Sequence, residues 1–93
     1  MRRSADWMHQ LDERIIEHLN DDGWATPATM AREFTFTATE DRIEERCRAL
    51  QDAGLVAPIM HDGDMFELTV VGMLYLDGEL DAETLPRQSK MNV

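Results

Sequence analysis

The chain has 93 residues, which is the length of one small domain. Its 19 Asp and Glu outnumber its nine Lys and Arg, so the formal net charge is −10 and we expect a strongly acidic surface. No apolar run approaches the roughly 18 residues of a membrane span and no signal-peptide core is present, and the single cysteine, Cys47, excludes an intrachain disulfide and a cysteine-based zinc finger.

The first predicted element is an amphipathic helix over residues 6–20. Its apolar residues recur at helical spacing, and they are Trp7, Leu11, Ile15 and Leu19. The run Asn-Asp-Asp-Gly at 20–23 ends this helix. The short link Trp24-Ala25 follows and can pair with later strands.

Thr26 and Pro27 predict the start of a second helix. A threonine side chain can accept a hydrogen bond from an orphan N–H group, and proline suits the first helical position because its missing N–H would have no partner there. The helix has a small apolar face made of Ala28, Met30, Ala31 and Phe34. Residues 35–38 are the predicted turn into the next helix.

A third helix is predicted over residues 39–53. Thr37 or Thr39 can cap its start, and Gly54 stands where a left-handed residue would end it. Its apolar stripe is narrow and consists of Ile43, Cys47 and Leu50. The arginines lie off that stripe and are Arg42, Arg46 and Arg48.

A β-hairpin and a fourth helix complete the pattern. The strands are predicted at residues 55–60 and 65–68, with an Asp-Gly turn between them and Pro58 marking an edge strand. Thr69 caps a helix over residues 70–76 that is apolar on most sides. Such a helix needs a further partner, either the first helix or a second copy of the chain.

The predicted fold is therefore mainly α with a small β-hairpin: a winged helix-turn-helix with the order α-α-α-β-β-α. We expect residues 1–82 to form the winged-helix domain and residues 83–93 to be a polar, disordered tail. In such a fold the third helix presents its exposed side to a ligand.

The sequence also resembles the small winged-helix regulators of haloarchaea typified by the phage phiH repressor. The resemblance covers residues 5–82. Its more specific parts are Trp7-Met8 near the start and the run Tyr75 to Ala82, of sequence Tyr-Leu-Asp-Gly-Glu-Leu-Asp-Ala, near the end. Further matching positions include Asp12 to Glu17, Ala25 to Pro27, Ile43, Arg46, Arg48, Leu50, Gly54 to Val56, Leu68-Thr69 and Gly72. The resemblance implies a DNA-binding transcription regulator from a salt-adapted cell.

The protein is predicted to be a repressor that binds double-stranded DNA sequence-specifically. Helix 39–53 is predicted to enter the major groove of its operator. Arginine can hold guanine through two hydrogen bonds or bind a phosphate, so Arg42, Arg46 and Arg48 are the first candidates. The alternative for these arginines is pairing with acids of their own helix at spacings of three and four. We expect a homodimer through the terminal helices.

The remaining candidates are polar residues near the expected backbone of the DNA. Thr37 and Thr39 could bind a phosphate or a base edge, or act only as helix caps. Thr26, Thr29 and Arg32 could hold phosphates, or form a solvated face. His61 could reach a minor groove if protonated, or simply be the polar tip of the hairpin.

The acidic composition leaves a second function open. One lysine, Lys90, beside eight arginines favours a protein adapted to molar salt, where charge repulsion is screened. The alternative is a winged helix that does not bind DNA and uses its acidic face as a protein-interaction or dimerisation module. The sign of the charge around the third helix and the hairpin distinguishes the two.

No enzyme chemistry is expected. The sequence has no Ser/His/Asp order, no glycine-rich phosphate loop and no metalloprotease motif. The three histidines do not form a metal-binding spacing with Cys47. We expect a cytoplasmic protein without a cofactor, a metal or a small-molecule substrate.

Overall fold

The computed structural model describes residues 7–33, 36–60 and 63–81. The elements are α1 (Gln10–Asp22), α2 (Pro27–Arg32), α3 (Glu40–Asp52), β1 (Val56–Pro58), β2 (Phe66–Leu68) and α4 (Val70–Leu76). The predicted winged helix-turn-helix with the order α-α-α-β-β-α is confirmed. The predicted tail, residues 83–93, lies outside the described residues, so the boundary at residue 82 stays a prediction.

Helix α1 begins four residues later than predicted, because an acid placed inside its first turn fixes the start. The backbone N–H of His9 donates to Oδ2 of Asp12 at 2.8 Å, so one orphan donor is satisfied at His9. Trp7 and Met8 precede the helix and pack against the core. At the other end Gly23 has a φ of +89° and its N–H donates to the carbonyl of Leu19 at 2.8 Å.

Helix α2 begins as the sequence predicts. Oγ1 of Thr26 accepts from the N–H of Thr29 at 3.1 Å, and Oγ1 of Thr29 accepts from the N–H of Thr26 at 3.0 Å. Pro27 occupies the first helical position. The helix ends at Arg32, and the predicted apolar residue Phe34 lies outside the described residues.

Helix α3 has both predicted end signals. Thr39, and not Thr37, is the cap, since its Oγ1 accepts from the N–H of Arg42 at 3.2 Å. Gly54, with a φ of +86°, ends the helix in a Schellman motif. In that motif the N–H groups of Gly54 and Leu55 donate to the carbonyls of Gln51 and Leu50, each at 3.0 Å. The predicted stripe of Ile43, Cys47 and Leu50 is fully buried.

The hairpin is the wing, residues 56–68. Its strands are antiparallel with Val56 opposite Leu68 and Pro58 opposite Phe66. On its other side β2 pairs with Ala25, whose N–H and C=O bond to Phe66 at 3.1 and 2.8 Å. The predicted pairing of Trp24-Ala25 and the edge position of β1 are thus confirmed. The strands are shorter than predicted, three residues each.

Helix α4 is joined to the end of α3. Oγ1 of Thr69 accepts from the N–H of Gly72 at 3.0 Å and donates to the carbonyl of Gly54 at 2.6 Å. Gly72 allows this close approach, because a Cβ there would overlap the carbonyl of Leu55. Tyr75 is buried and its hydroxyl donates to Glu13, so the last helix packs on the first, which is one of the two partners left open by the sequence.

Candidate nucleic-acid interface

Helix α3 is buried along one side and open along the other. Its exposed positions carry mostly acids, and they are Glu40, Asp41, Arg42, Glu45 and Asp52. Thr37 and Thr39, just before the helix, are also exposed. The open side therefore has one arginine among four carboxylates, and by its sign this charge alone favours the interaction module over DNA binding.

Arg42 is the arginine of that open side. Its Nη1 donates to Oε1 of Glu45 at 2.7 Å, and its Nη2 lies 2.8 Å from Nδ1 of His9. The Arg42 side chain is 42% exposed and the Glu45 side chain 65%. A surface ion pair of this kind contributes only about 0–1 kcal/mol, so Arg42 can exchange Glu45 for another anion at little cost.

Arg46 points into the molecule. Its Nε and Nη2 donate to the two carboxylate oxygens of Asp12, each at 2.8 Å, and Nη2 also donates to the carbonyl of Trp7 at 3.3 Å. Arg46 is 7% exposed and Asp12 is fully buried. The hydrogen bond to Asp12 raises the pKa of Arg46 above its ordinary value, against the opposing effect of burial.

This placement contradicts the prediction that Arg46 contacts DNA. Arg46 lies three residues after Ile43 and four before Leu50, so it belongs to the buried side of α3 and not to the open one. Its partner, Asp12, also belongs to the buried side of its own helix. Asp12 shares the spacing of Ile15, Ile16 and Leu19, the buried residues of α1. Two opposite charges, each at an apolar position of its own helix, are the signal by which this pair could have been found from sequence.

Arg48 lies on the flank of α3 that faces the wing. Its guanidinium carbon is 5.0 Å from the centre of the Phe66 ring. Nη1 donates to Oε1 of Gln51 at 3.2 Å, and Nη2 is 3.5 Å from both the carbonyl oxygen of Gly63 and Oε2 of Glu44. The ion pair of Arg48 with Glu44 is the within-helix alternative that the sequence left open.

The candidates on α2 remain at the surface. Thr29 and Arg32 are exposed, and Thr26 is half-buried because it caps the helix. Within the described ranges Arg32 has no ion-pair partner. Since α2 packs directly on α3, these residues lie on the helix next to α3. His61 lies outside the described residues.

The described part of the chain offers no metal site, since it contains no group of three or more His, Cys, Asp or Glu that could bind an ion together. None of the described helices is long and apolar enough to cross a membrane.

A family model for the winged helix-turn-helix phage repressor matches residues 1–88. The chain belongs to this family. Among solved structures, this chain resembles the crystal structure of the PhiH1 repressor-like protein from Haloarcula marismortui. The TM-score is 0.86 and the sequence identity 28%, and the match covers 94% of this chain and 97% of that one. No curated protein matches it. The family predicted from the sequence is thereby confirmed.

Proposed function

We propose that this protein is a sequence-specific, double-stranded DNA-binding transcription regulator, acting as a repressor in the cytoplasm of a salt-adapted cell. The supporting observation is the open side of α3 in a winged-helix fold of the phage repressor family. In this proposal α3 enters the major groove, while α2 and the wing contact the backbone.

Arg42 is the proposed base-reading residue. It stands in the first turn of α3, and its exposed pair with Glu45 is weaker than the roughly 1–3 kcal/mol of a two-bond contact with guanine. Thr37 and Thr39 are proposed to contact a phosphate or base edge beside it. Thr26, Thr29 and Arg32 are the proposed phosphate contacts, and His61 is the proposed minor-groove contact.

The experiment is a selection of binding sites from random duplexes in concentrated potassium chloride, followed by affinity measurements on the selected duplex. Arg42→Ala should weaken binding by about 1–3 kcal/mol and relax the preference at one base pair. Arg14→Ala, which removes an exposed arginine of α1, is the matched control. Failure to enrich any sequence, or equal affinities of the Arg42 and Arg14 variants, would refute the assignment of α3.

A second candidate function is supported by the carboxylates of α3. Glu40, Asp41 and Glu45 are exposed around Arg42, and such a surface suits a basic protein partner. This interaction module would enrich no duplex, and Glu40→Gln with Asp41→Asn would weaken its complex. For a DNA-binding protein the same double substitution should strengthen binding, because it removes two charges facing phosphates.

We also propose that the protein is a homodimer. Val70, Met73 and Leu74 of α4 are 71%, 48% and 38% exposed and share one side of the helix. Sedimentation measurements at high salt test this, with Met73→Glu expected to convert a dimer to a monomer. Met60→Glu changes a methionine of the wing that is 62% exposed and should leave the dimer intact. A monomeric wild type would refute the proposal.

A further inference from the structure

We infer that Arg48 is a positioning residue that fixes the wing against α3, and that it does not read DNA bases. The structural part of this inference depends only on contacts within the chain. Its consequence for DNA depends on the proposed function.

The first contact that supports this role is with the aromatic ring of β2. Phe66 is fully buried, and the guanidinium of Arg48 covers its ring at 5.0 Å. A guanidinium over an aromatic face is attracted by the ring quadrupole. Because Phe66 is also bonded through its backbone to Ala25, Arg48 packs on a residue of the wing that is itself tied to the segment before α2.

The second contact lies farther out along the wing. Nη2 of Arg48 is directed at the carbonyl of Gly63, which lies beyond the last strand pair, Pro58 and Phe66. The guanidinium is also held on α3 itself, because Nη1 donates to Gln51 and the same Nη2 lies 3.5 Å from a carboxylate oxygen of Glu44. One side chain therefore connects the last turns of α3, the outer end of β2 and a carbonyl nearer the tip of the wing.

This connection matters because the strands of the wing are short. Each strand has three residues, and Pro58 cannot donate a hydrogen bond to the ladder. A hairpin of this size has little stability of its own, so its angle relative to α3 depends on side chains that cross between them. If α3 and the wing both contact one duplex, Arg48 sets the distance between these two contact surfaces.

The test begins with the free protein. Amide hydrogen exchange and backbone NMR relaxation of residues 56–66 are compared in wild type, Arg48→Met and Arg48→Lys at high salt. Arg48→Met keeps an apolar side chain over Phe66 but removes the guanidinium group. It should speed exchange of the Ile59 and Phe66 amides roughly two- to tenfold. Arg48→Lys should recover part of the protection. Arg42→Met changes an arginine of the same helix whose side chain, within the described ranges, contacts Glu45 and His9 and not the wing, and it should leave these amides unchanged.

The second measurement uses the selected duplex and a hydroxyl-radical footprint. Arg48→Met should lower affinity to a similar extent for matched and mismatched duplexes and weaken only part of the backbone footprint. Unchanged exchange in the wing, or relaxed preference at one base pair without a change in exchange, would overturn the inference. Loosened exchange in a protein that binds no duplex would support the positioning role and refute the proposed function.

Discussion

Arg46 lies in the core because Asp12 meets it there. Asp12 accepts from both Nε and Nη2 of Arg46 and also from the N–H of His9. One carboxylate thus caps α1 and binds α3. Burial of either charge alone would cost several kcal/mol, whereas the two-bond pair satisfies both groups. The geometry ties the start of α1 to the middle of α3.

Replacement of one partner of this pair should lower the free energy of unfolding far more than replacement of both. Arg46→Met leaves the buried Asp12 carboxylate without its cation, so we expect a loss of about 3–5 kcal/mol in the free energy of unfolding. Asp12→Leu combined with Arg46→Met should recover most of that loss, short of the roughly 1 kcal/mol of the His9 cap. Denaturant titrations in high salt measure both. A single variant as stable as wild type would show that the pair contributes nothing to stability.

The buried thiol of Cys47 should make the stability of the fold depend on pH. Burial raises the pKa of its thiol to about 12, against a smaller lowering by the charge of Arg48. The unfolded thiol titrates at about pH 8.5, so above that pH the unfolded state loses a proton that the folded state keeps. The stabilisation is complete below about pH 8.5 and is lost as the pH rises towards about 12, by up to about 1.4 kcal/mol per unit.

The measurement is the free energy of unfolding as a function of alkaline pH, in wild type and in Cys47→Ala. Other groups titrate in this range, and the difference between the two slopes isolates the thiol. Parallel slopes would contradict the assignment. The folded protein should also resist thiol alkylation, because the reactive thiolate is suppressed.

At the level of elements, the sequence predicts helix ends well where the end depends on nearby residues. Thr26 with Pro27, Thr39, Gly54 and Thr69 each act within three or four residues of themselves, and each has its predicted role.

The contacts of the candidate interface were harder to predict, because they join residues far apart in the chain. Arg46 pairs with Asp12 across 34 positions, Arg42 with His9 across 33, and Arg48 reaches Gly63 across 15. Spacing within one helix cannot reveal such partners. It does show which side of the helix a residue occupies, and that test would have placed Arg46 inside.

Helix α3 should depend on its buried stripe more than on its open side. Leu50 is fully buried, and Leu50→Ala should lower the free energy of unfolding by about 2–5 kcal/mol through lost burial and a residual cavity. Asp52→Ala changes an exposed residue of the same helix and should stay within about 0.5 kcal/mol of wild type. Denaturant midpoints compare the two. Equal effects would mean that the stripe does not carry the packing of α3.

At the scale of the whole molecule, the charge is opposite to that of most DNA-binding domains. The net charge is −10, and exposed acids continue from α3 to the wing at Asp64 and Glu67. In dilute buffer these charges repel both each other and a duplex. At 1 M salt the Debye length falls to about 3 Å, so the repulsion is screened while contacts at hydrogen-bond distance persist.

The salt dependence of DNA binding should therefore be inverted or flat. For ordinary complexes, the logarithm of the binding constant falls against the logarithm of the salt concentration with a slope of about −0.9 per neutralised phosphate. In the proposed complex few cations would displace counterions, and the acids of α3 would face the backbone. We expect affinity for the selected duplex to hold or rise between about 0.2 M and about 2 M potassium chloride. Fluorescence anisotropy measures the affinity, with circular dichroism confirming that the protein is folded at each salt concentration.

Glu40→Gln with Asp41→Asn should raise the affinity at the lowest salt concentration and make the affinity fall as salt is added. A steep fall in the wild type would mean that phosphate contacts dominate its binding and that the acids of α3 face away from the duplex.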